Sequence, residues 1–580
     1  MLESRATGLT GAGADGESYQ PSTSAEGRFV AFASAADNLS PEDNDRWTNV
    51  FVRDKLTHTT SYVSRATGAL GAATDTDSSD PSISADGRFV AFVSSADNLS
   101  AACDTTVGNI FVRDLRTNTT TYLSRATGAD GTAGDGNSFD PSISADGRFV
   151  AFASDADSVS DQDTNTTTDV FVRDLQTHTT RYVTRATGAA GSAGDGESLD
   201  PSISADGRFV AFRSEADSLS SEDDDTIPNV FVRDLQTNTT TYVSRATGAA
   251  GTAGGGIDPS ISADGRSVAF ASAADNLSSE DNDAVGNVFV RDLPTNTTTY
   301  VSRATGPTGM PGDDSSFEPS ISGDGRWVAF SSFAHNLNSD DHSFFADVFL
   351  RDLQTNTTTY LSRATGPAGA PGDATSFDPS ISADGRFVAF FSDADSLSGE
   401  DSNAVSNVFL RQVLDAAPPP PTSTPTPTPP FYPTPTPVSP PTNDNVKPLI
   451  SKLSLSPRSF GAAGRGPSVS ATTGTKLSYR LSERATVRFG IERGLPGRRS
   501  RAGCVALKRS NRSARRCTRY RLLRRGFTRR GKRGQNRFRF RGRLSGHALK
   551  PGRYRLRALA TDSAGNKSRR KRSSFRVFPR

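Results

Sequence analysis

The sequence is short of the residues from which reactive or cross-linked sites are built: its 580 residues hold three cysteines, five histidines, two tryptophans and two methionines. Three cysteines exclude a disulfide scaffold. The histidines stand at 58, 178, 335, 342 and 547, and only His335 and His342 share a loop. Two histidines alone make neither a closed zinc site nor a catalytic triad. No apolar run reaches the roughly 18 residues a membrane-spanning helix needs. The opening MLESRATGLTGAGADGESYQ has neither a basic start nor an apolar stretch, so these residues are not a secretory signal.

Charge is present in quantity but unevenly placed. Of 66 Lys and Arg, 40 fall in residues 446–580 beside three acids, Glu483, Glu492 and Asp562, which gives that segment about +37 and the rest about −35. An acidic body is joined to a basic tail. Cys504 and Cys517 lie thirteen apart in the tail. A bridge between them would close a short loop worth roughly 3 kcal/mol and would imply an oxidising compartment; two free thiols are the alternative. Cys103 stands alone.

The abundant feature is repetition. Pro-Ser followed by Ile/Thr-Ser begins at 21, 81, 141, 201, 259, 319 and 379, so seven copies fill residues 1 to about 413. In the third copy SFDPSIS and RFVAFAS flank the turn Ala145-Asp146-Gly147, and DVFVRDL and TRYVTR flank a second tight turn. Each copy is expected to be a four-stranded antiparallel sheet, apolar on both faces and packed between two others. Four strands repeated seven times point to an all-β, seven-bladed β-propeller over residues 1–415.

The motif PSISADGRFVAFxS followed by NVFVRDLxTNTTTYVS resembles the TolB-like, WD-type propeller repeat of bacterial proteins. The resemblance covers about 70% of the chain and implies a fold; such propellers host many functions. Those that act as lyases use a histidine-rich metal cluster in the channel, a set this chain lacks. On that inventory the chain is expected not to be an enzyme, with a propeller hydrolase or lyase as the third-ranked reading. Asp-Gly-Arg, the Arg-Asp after VFV and the Arg of SRATG recur in nearly every copy, so they are expected to cap turns and pair between blades.

The turns within each copy are short on one side and long on the other, leaving fourteen long loops on one face, where binding residues usually sit. Departures from the repeat single out Trp47, Arg213, Phe333, His335, His342, Phe344 and Phe345 as ligand-binding candidates, for a protein or a glycan. Alternate-oxygen pairs recur in these loops, among them Asp43 with Asp45, Asp223 with Asp225, Asp281 with Asp283 and Asp401 with Asn403. Asp161, Asp163, Asn165 and Asp169 have the spacing of a calcium loop but lack the glycine and bidentate glutamate of an EF-hand. Solvated acidic loops are the favoured reading, calcium the minority one; no other cofactor is called for.

Residues 416–445 form a Pro/Thr-rich linker, read as a disordered but semi-rigid polyproline stalk. In residues 446–580 alternating runs such as KLSYRLSE, NRFRFRGRL and GRYRLRALATD predict a small β-sandwich with an Arg-rich insertion at about 494–533. Leu549-Lys-Pro-Gly-Arg-Tyr554 looks like the tyrosine corner of immunoglobulin-like domains. Arg537, Arg539, Arg541 and Arg543, and Arg553, Arg555 and Arg557, alternate with apolar residues and should line the outside, where a polyanion would offset their crowding. An anionic envelope polymer ranks above nucleic acid as that partner, because no base-reading module is recognisable. The resulting expectation is a secreted or cell-surface binding or scaffold protein of the bacterial envelope; the runner-up is a cytoplasmic propeller whose tail binds nucleic acid.

The seventh copy stops at its third strand, NVFLRQV, while the chain opens on a fragment aligning with the end of a copy: Leu2-Glu3-Ser4-Arg5 matches Tyr62-Val63-Ser64-Arg65. The N-terminus is therefore expected to pair beside residues 407–412 and close the ring. That strand would be about four residues where its siblings should have roughly seven; the clasp is naturally short, or the chain once began earlier.

Overall fold

The computed structural model describes residues 1–413, except 44–45, 104–106, 224–226, 282–284, 342–343, 367–368 and 402–404, and residues 447–578, except 457–458, 462–474, 483–484, 501–502, 507–514, 541–542, 545–546 and 562–565. The Pro/Thr linker lies outside these. The chain divides into two units, Met1–Thr424 and Pro425–Arg580.

The third copy shows how the repeat folds. Its strands are Ser138–Ile143, Phe149–Ser154, Asp169–Asp174 and Thr179–Tyr182, antiparallel and paired in sequence order. The third strand is buried along its whole length, because neighbouring sheets cover both faces. Phe152 stacks on Phe171 at 5.8 Å, and Phe171 meets Tyr182 at 5.5 Å. Aromatic pairs of this kind add about 0.5–1.5 kcal/mol to simple burial. In the first turn Gly147 has φ +70°, and a Cβ there would stand 2.1 Å from Cδ2 of Phe89 in the preceding copy. Glycine is thus required both by the backbone and by the packing.

Six such four-stranded sheets, and one of three strands ending in Asn407–Gln412, are seen among the described residues. This is the all-β, repeated-sheet architecture of a β-propeller. The fourth strands are four residues long, Thr179–Tyr182 for example, not the seven expected. The cause is local: past Tyr62, the Val50 amide donates to the Ser64 hydroxyl at 3.0 Å, which ends the ladder.

At the first turn of each copy a backbone amide reaches the next copy. Ala25 donates to Ala85, and the series continues through Ala145, Ala205, Ala263 and Gly323 to Ala383. Asp384 N then donates to Ala25 O, which returns the series to its start. Beside the last three-stranded sheet, Leu2 bridges Phe409, the Met1 amine donates to Leu410 O at 2.9 Å, and Glu3 N donates to Val408 O at 2.8 Å.

The recurring arginines are structural, though not all pair as expected. Arg148 forks onto Asp174 of its own sheet, at 2.8 and 2.5 Å, so this pair lies within a copy and not between copies. Arg173, only 2% exposed, reaches back to the carbonyls of Ala126 and Gly128 in the connection from the copy before. Arg53, Arg113, Arg233, Arg291 and Arg351 repeat that tie.

In the second unit Ile450–Ser456, Thr475–Leu481 and Gly534–Phe540 form one sheet. Ala485–Ser500, Gly552–Thr561 and Lys571–Phe578 belong to another, and Leu477, Tyr479, Phe489, Leu556 and Phe575 share one core. The Tyr554 hydroxyl donates to Lys550 O at 2.6 Å. The expected Arg-rich insertion is largely a hairpin extension of this sheet, in which Ala485–Ser500 pairs with Arg516–Gly531.

Candidate functional site

The first strands stand side by side around the axis of the first unit. Ile143 N donates to Ser82 Oγ of the preceding copy at 3.1 Å, and the same bond joins Ile83 to Ser22, Ile203 to Ser142, Ile261 to Ser202, Ile321 to Ser260 and Ile381 to Ser320. Thr23 N to Ser380 Oγ, at 3.0 Å, completes the circuit.

Each first strand carries a bulge at the residue before the proline: Gln20, Asp80, Asp140, Asp200, Asp258, Glu318 and Asp378, with φ between +50° and +57°. Backbone in this region is costly for most side chains, least so for Asp and Asn. The effect is to gather six carboxylates and one amide around the axis. Gln20 donates to Asp80, and Asp378 N donates to Glu318 Oε2 at 2.9 Å. Burial, then the charges of neighbouring carboxylates, push Asp140 and Asp378 up to about 7 and Asp258 to about 6. Asp80, Asp200 and Glu318 are also raised by burial. Arg213 pairs with Asp200 at 2.7 Å and holds it down against that burial. Sequence reasoning missed this ring because it set aside residues present in every copy; the signal was an acidic side chain before proline in six of the seven copies.

One residue earlier in each strand is a partly apolar rim. Phe317 lies 5.6 Å from Phe333 and 6.0 Å from Phe377, and Phe377 lies 5.8 Å from Phe391. All four are half-buried. In the adjoining loop Phe344 is 86% exposed and meets the His335 ring edge-on at 5.3 Å, with Phe345 beside it 42% exposed. The structure therefore joins Phe333 to the rim, His335 to Phe344, and Arg213 to the carboxylate ring. Trp47 stands in the loop of the first copy, half-buried against Arg46 at 4.9 Å. His342 lies outside the described residues, as do Asp45, Asp225, Asp283 and Asn403.

In the candidate calcium loop, Asn165 turns its amide nitrogen to Asp169 Oδ2 at 3.1 Å, and its oxygen accepts from Thr167. Asp163 is raised to about 6 and Asp169 to about 7, burial being the main cause in each. Asp161 is among the residues that line a cleft at the outer edge. Among the described residues no three His, Cys, Asp or Glu side chains gather as a metal set.

The basic candidates separate. Arg537 and Arg553 are exposed. Arg555 and Arg557 both turn onto the buried Glu492, at 3.1 and 3.3 Å, so one of the tail's few acids has already claimed two of the arginines expected to face outward. Arg539 and Arg543 lie in strands; Arg541 lies outside the described residues. Cys504 and Cys517 are joined as a disulfide, Cα to Cα 6.0 Å.

The class defined by these sheets is the β-propeller. No family model matches the sequence, and no curated protein matches it. Among solved structures, TolB from Acinetobacter baumannii is similar at 16% identity and a TM-score of 0.32, over 61% of this chain and 65% of that one. TolB from Agrobacterium tumefaciens is similar at 14% identity and 0.30, over 49% and 79%. The structural neighbours thus include the TolB proteins that the repeat resembles, at the level of fold. An acylaminoacyl peptidase from Pyrococcus horikoshii is similar at 11% and 0.37, over 69% and 52%. That last likeness corrects one expectation: the chain's solved neighbours include peptidases, so a scarcity of histidine does not exclude catalysis.

Proposed function

We propose that residues 1–415 form a seven-bladed ring, closed by the N-terminal strand, that binds a protein partner on its long-loop face. The observation carrying this reading is the phenylalanine cluster of Phe317, Phe333, Phe377 and Phe391 at the rim, with exposed Phe344 beside it. An apolar patch bordered by polar loops fits a protein interface, where aromatic anchors carry most of the binding energy. The setting we propose is the bacterial cell envelope, with the Pro/Thr segment as a stalk and residues 446–580 as a basic β-sandwich held on an anionic polymer. The disulfide favours an oxidising compartment.

The test is capture of envelope proteins by the full chain against a Phe333→Asp/Phe344→Ser variant. Asp occupies the position of Phe333 in the seventh copy, as Asp393, so the fold should tolerate it. A partner held by the wild type should fall at least tenfold with the variant; equal capture by both would sink the reading.

A further inference from the structure

At the outer edge of the first unit, between the third and fourth copies, is a cavity of about 620 Å3 lined by Asp161, Gln162, Arg181, Arg185, Arg233 and Asn238, among others. Three of these residues break the repeat, the first being Asp161, where the other copies have Pro41, Ala101, Ser221, Ser279, Ser339 and Gly399. Where Arg181 stands, the other described copies have Ser61, Thr121, Thr241, Thr299 and Thr359. Where Gln162 stands, five copies have an acid, Glu42, Glu222, Glu280, Asp340 and Glu400, and the second has Ala102. Those five acids each pair with the arginine of their SRATG motif, Glu42 with Arg65 and Asp340 with Arg363 for example. In the third copy Arg185 instead donates to the neutral Gln162 Oε1 at 2.7 Å. One strand residue has gained a positive charge, and the loop's acid has moved by one place, from the position of Gln162 to Asp161, which leaves a neutral amide facing Arg185 at the same cavity.

We propose that this cleft binds a small hydroxylated carboxylate, an acidic sugar. Arg181 supplies the fork. Its Nη2 gives one proton to Asn238 Oδ1 at 3.2 Å; the second Nη2 proton shares an edge of the guanidinium with Nε or with Nη1, neither of which makes a hydrogen bond among the described residues. A guanidinium presented in this way matches the two oxygens of a carboxylate. Asp161, Gln162 and Asn238 line the same space, and carboxylate and amide groups suit the hydroxyls of a sugar. The Asp161 charge opposes a dianion, which favours a carboxylate over a phosphate. The volume falls within the range of small-molecule sites, about 300–1,000 Å3.

The experiment uses the full chain, with D-glucuronate as probe and D-glucose and inorganic phosphate beside it, followed by titration calorimetry or ligand-observed NMR. Arg181→Thr and Gln162→Glu each restore the residue of sibling copies, so both should fold, and their melting curves check that they do. Glucuronate should bind the wild type more tightly than glucose or phosphate, and each variant should weaken it about tenfold or more. Absence of glucuronate binding, equal affinity in the variants, or phosphate binding as tightly as glucuronate would each overturn the proposal.

Discussion

Asp140 and Asp378 occupy left-handed backbone in front of a proline, and that local geometry turns seven ordinary strands into a ring of facing carboxylates. Their native carboxyls sit near 7, above the unfolded range of about 4. The native state therefore binds protons more tightly than the unfolded chain, so stability grows as pH falls from about 7 towards 4 and is lost as pH rises through 7. We expect the first unit to melt several degrees higher at pH 5.5 than at pH 8. Asp140→Asn should reduce that difference and raise the stability at pH 8 by about 1 kcal/mol. Scanning fluorimetry across the pH range decides it, and an unchanged profile in Asp140→Asn would count against the ring as its source. The Arg-paired carboxylates set the opposite limit. Asp174 and Asp352 are held near 2, with burial opposed by hydrogen bonds from Arg148 and Arg326, so their contribution is present above about pH 4 and fades below it.

At the scale of the strand and its connections, the buried arginine of the third strand is the tie between copies. Arg173 gives hydrogen bonds to the carbonyls of Ala126 and Gly128 and to Thr180 Oγ1. Arg173→Met would fill the space but leave those acceptors unpaired in a closed site, so it should cost about 3 kcal/mol in urea unfolding. Arg173→Lys should recover little of this, because one ammonium cannot reproduce the fork. The N-terminal segment is the other tie. Removing residues 1–5 would strip the partner from Val408, Phe409 and Leu410 and expose the edge of Asn407–Gln412. We expect concentration-dependent association through that edge, visible by light scattering; a monomeric truncated chain would show the segment to be dispensable.

For the molecule as a whole, the repeat length, the four strands and the meeting of Leu2 with Phe409 were legible in the sequence, because period and alternation are written in every copy. What was not legible came from three dimensions acting on single positions. The acids before proline look like turn residues in one copy and form a site only when the copies are set around an axis. Glu492 looks like a stray acid until it is seen beneath Arg555 and Arg557. Departure from the repeat singled out Phe333, His335 and Arg213, which the structure places at the aromatic rim, beside Phe344 and on the carboxylate ring; Gln162 and Arg181 depart in the same way. The split of charge between the two units gives a further expectation. The full chain should be retained on an immobilised anionic envelope polymer and released steeply with added salt, as counterion release requires. Retention unaffected by salt would point to the propeller face instead.

The Met1 amine and the Leu410 carbonyl are 2.9 Å apart, and the amide series from Ala25 returns through Asp384 to Ala25. In residues 1–413 alone, joining Val413 to Met1 with a short peptide and cutting between the exposed Ala189 and Ala190 should leave every rung of that series in place. For such a circle, sequence order and mechanical order are separate properties. A pull applied at any one sheet would be shared in both directions around the rim, whichever sheet the ribosome made first.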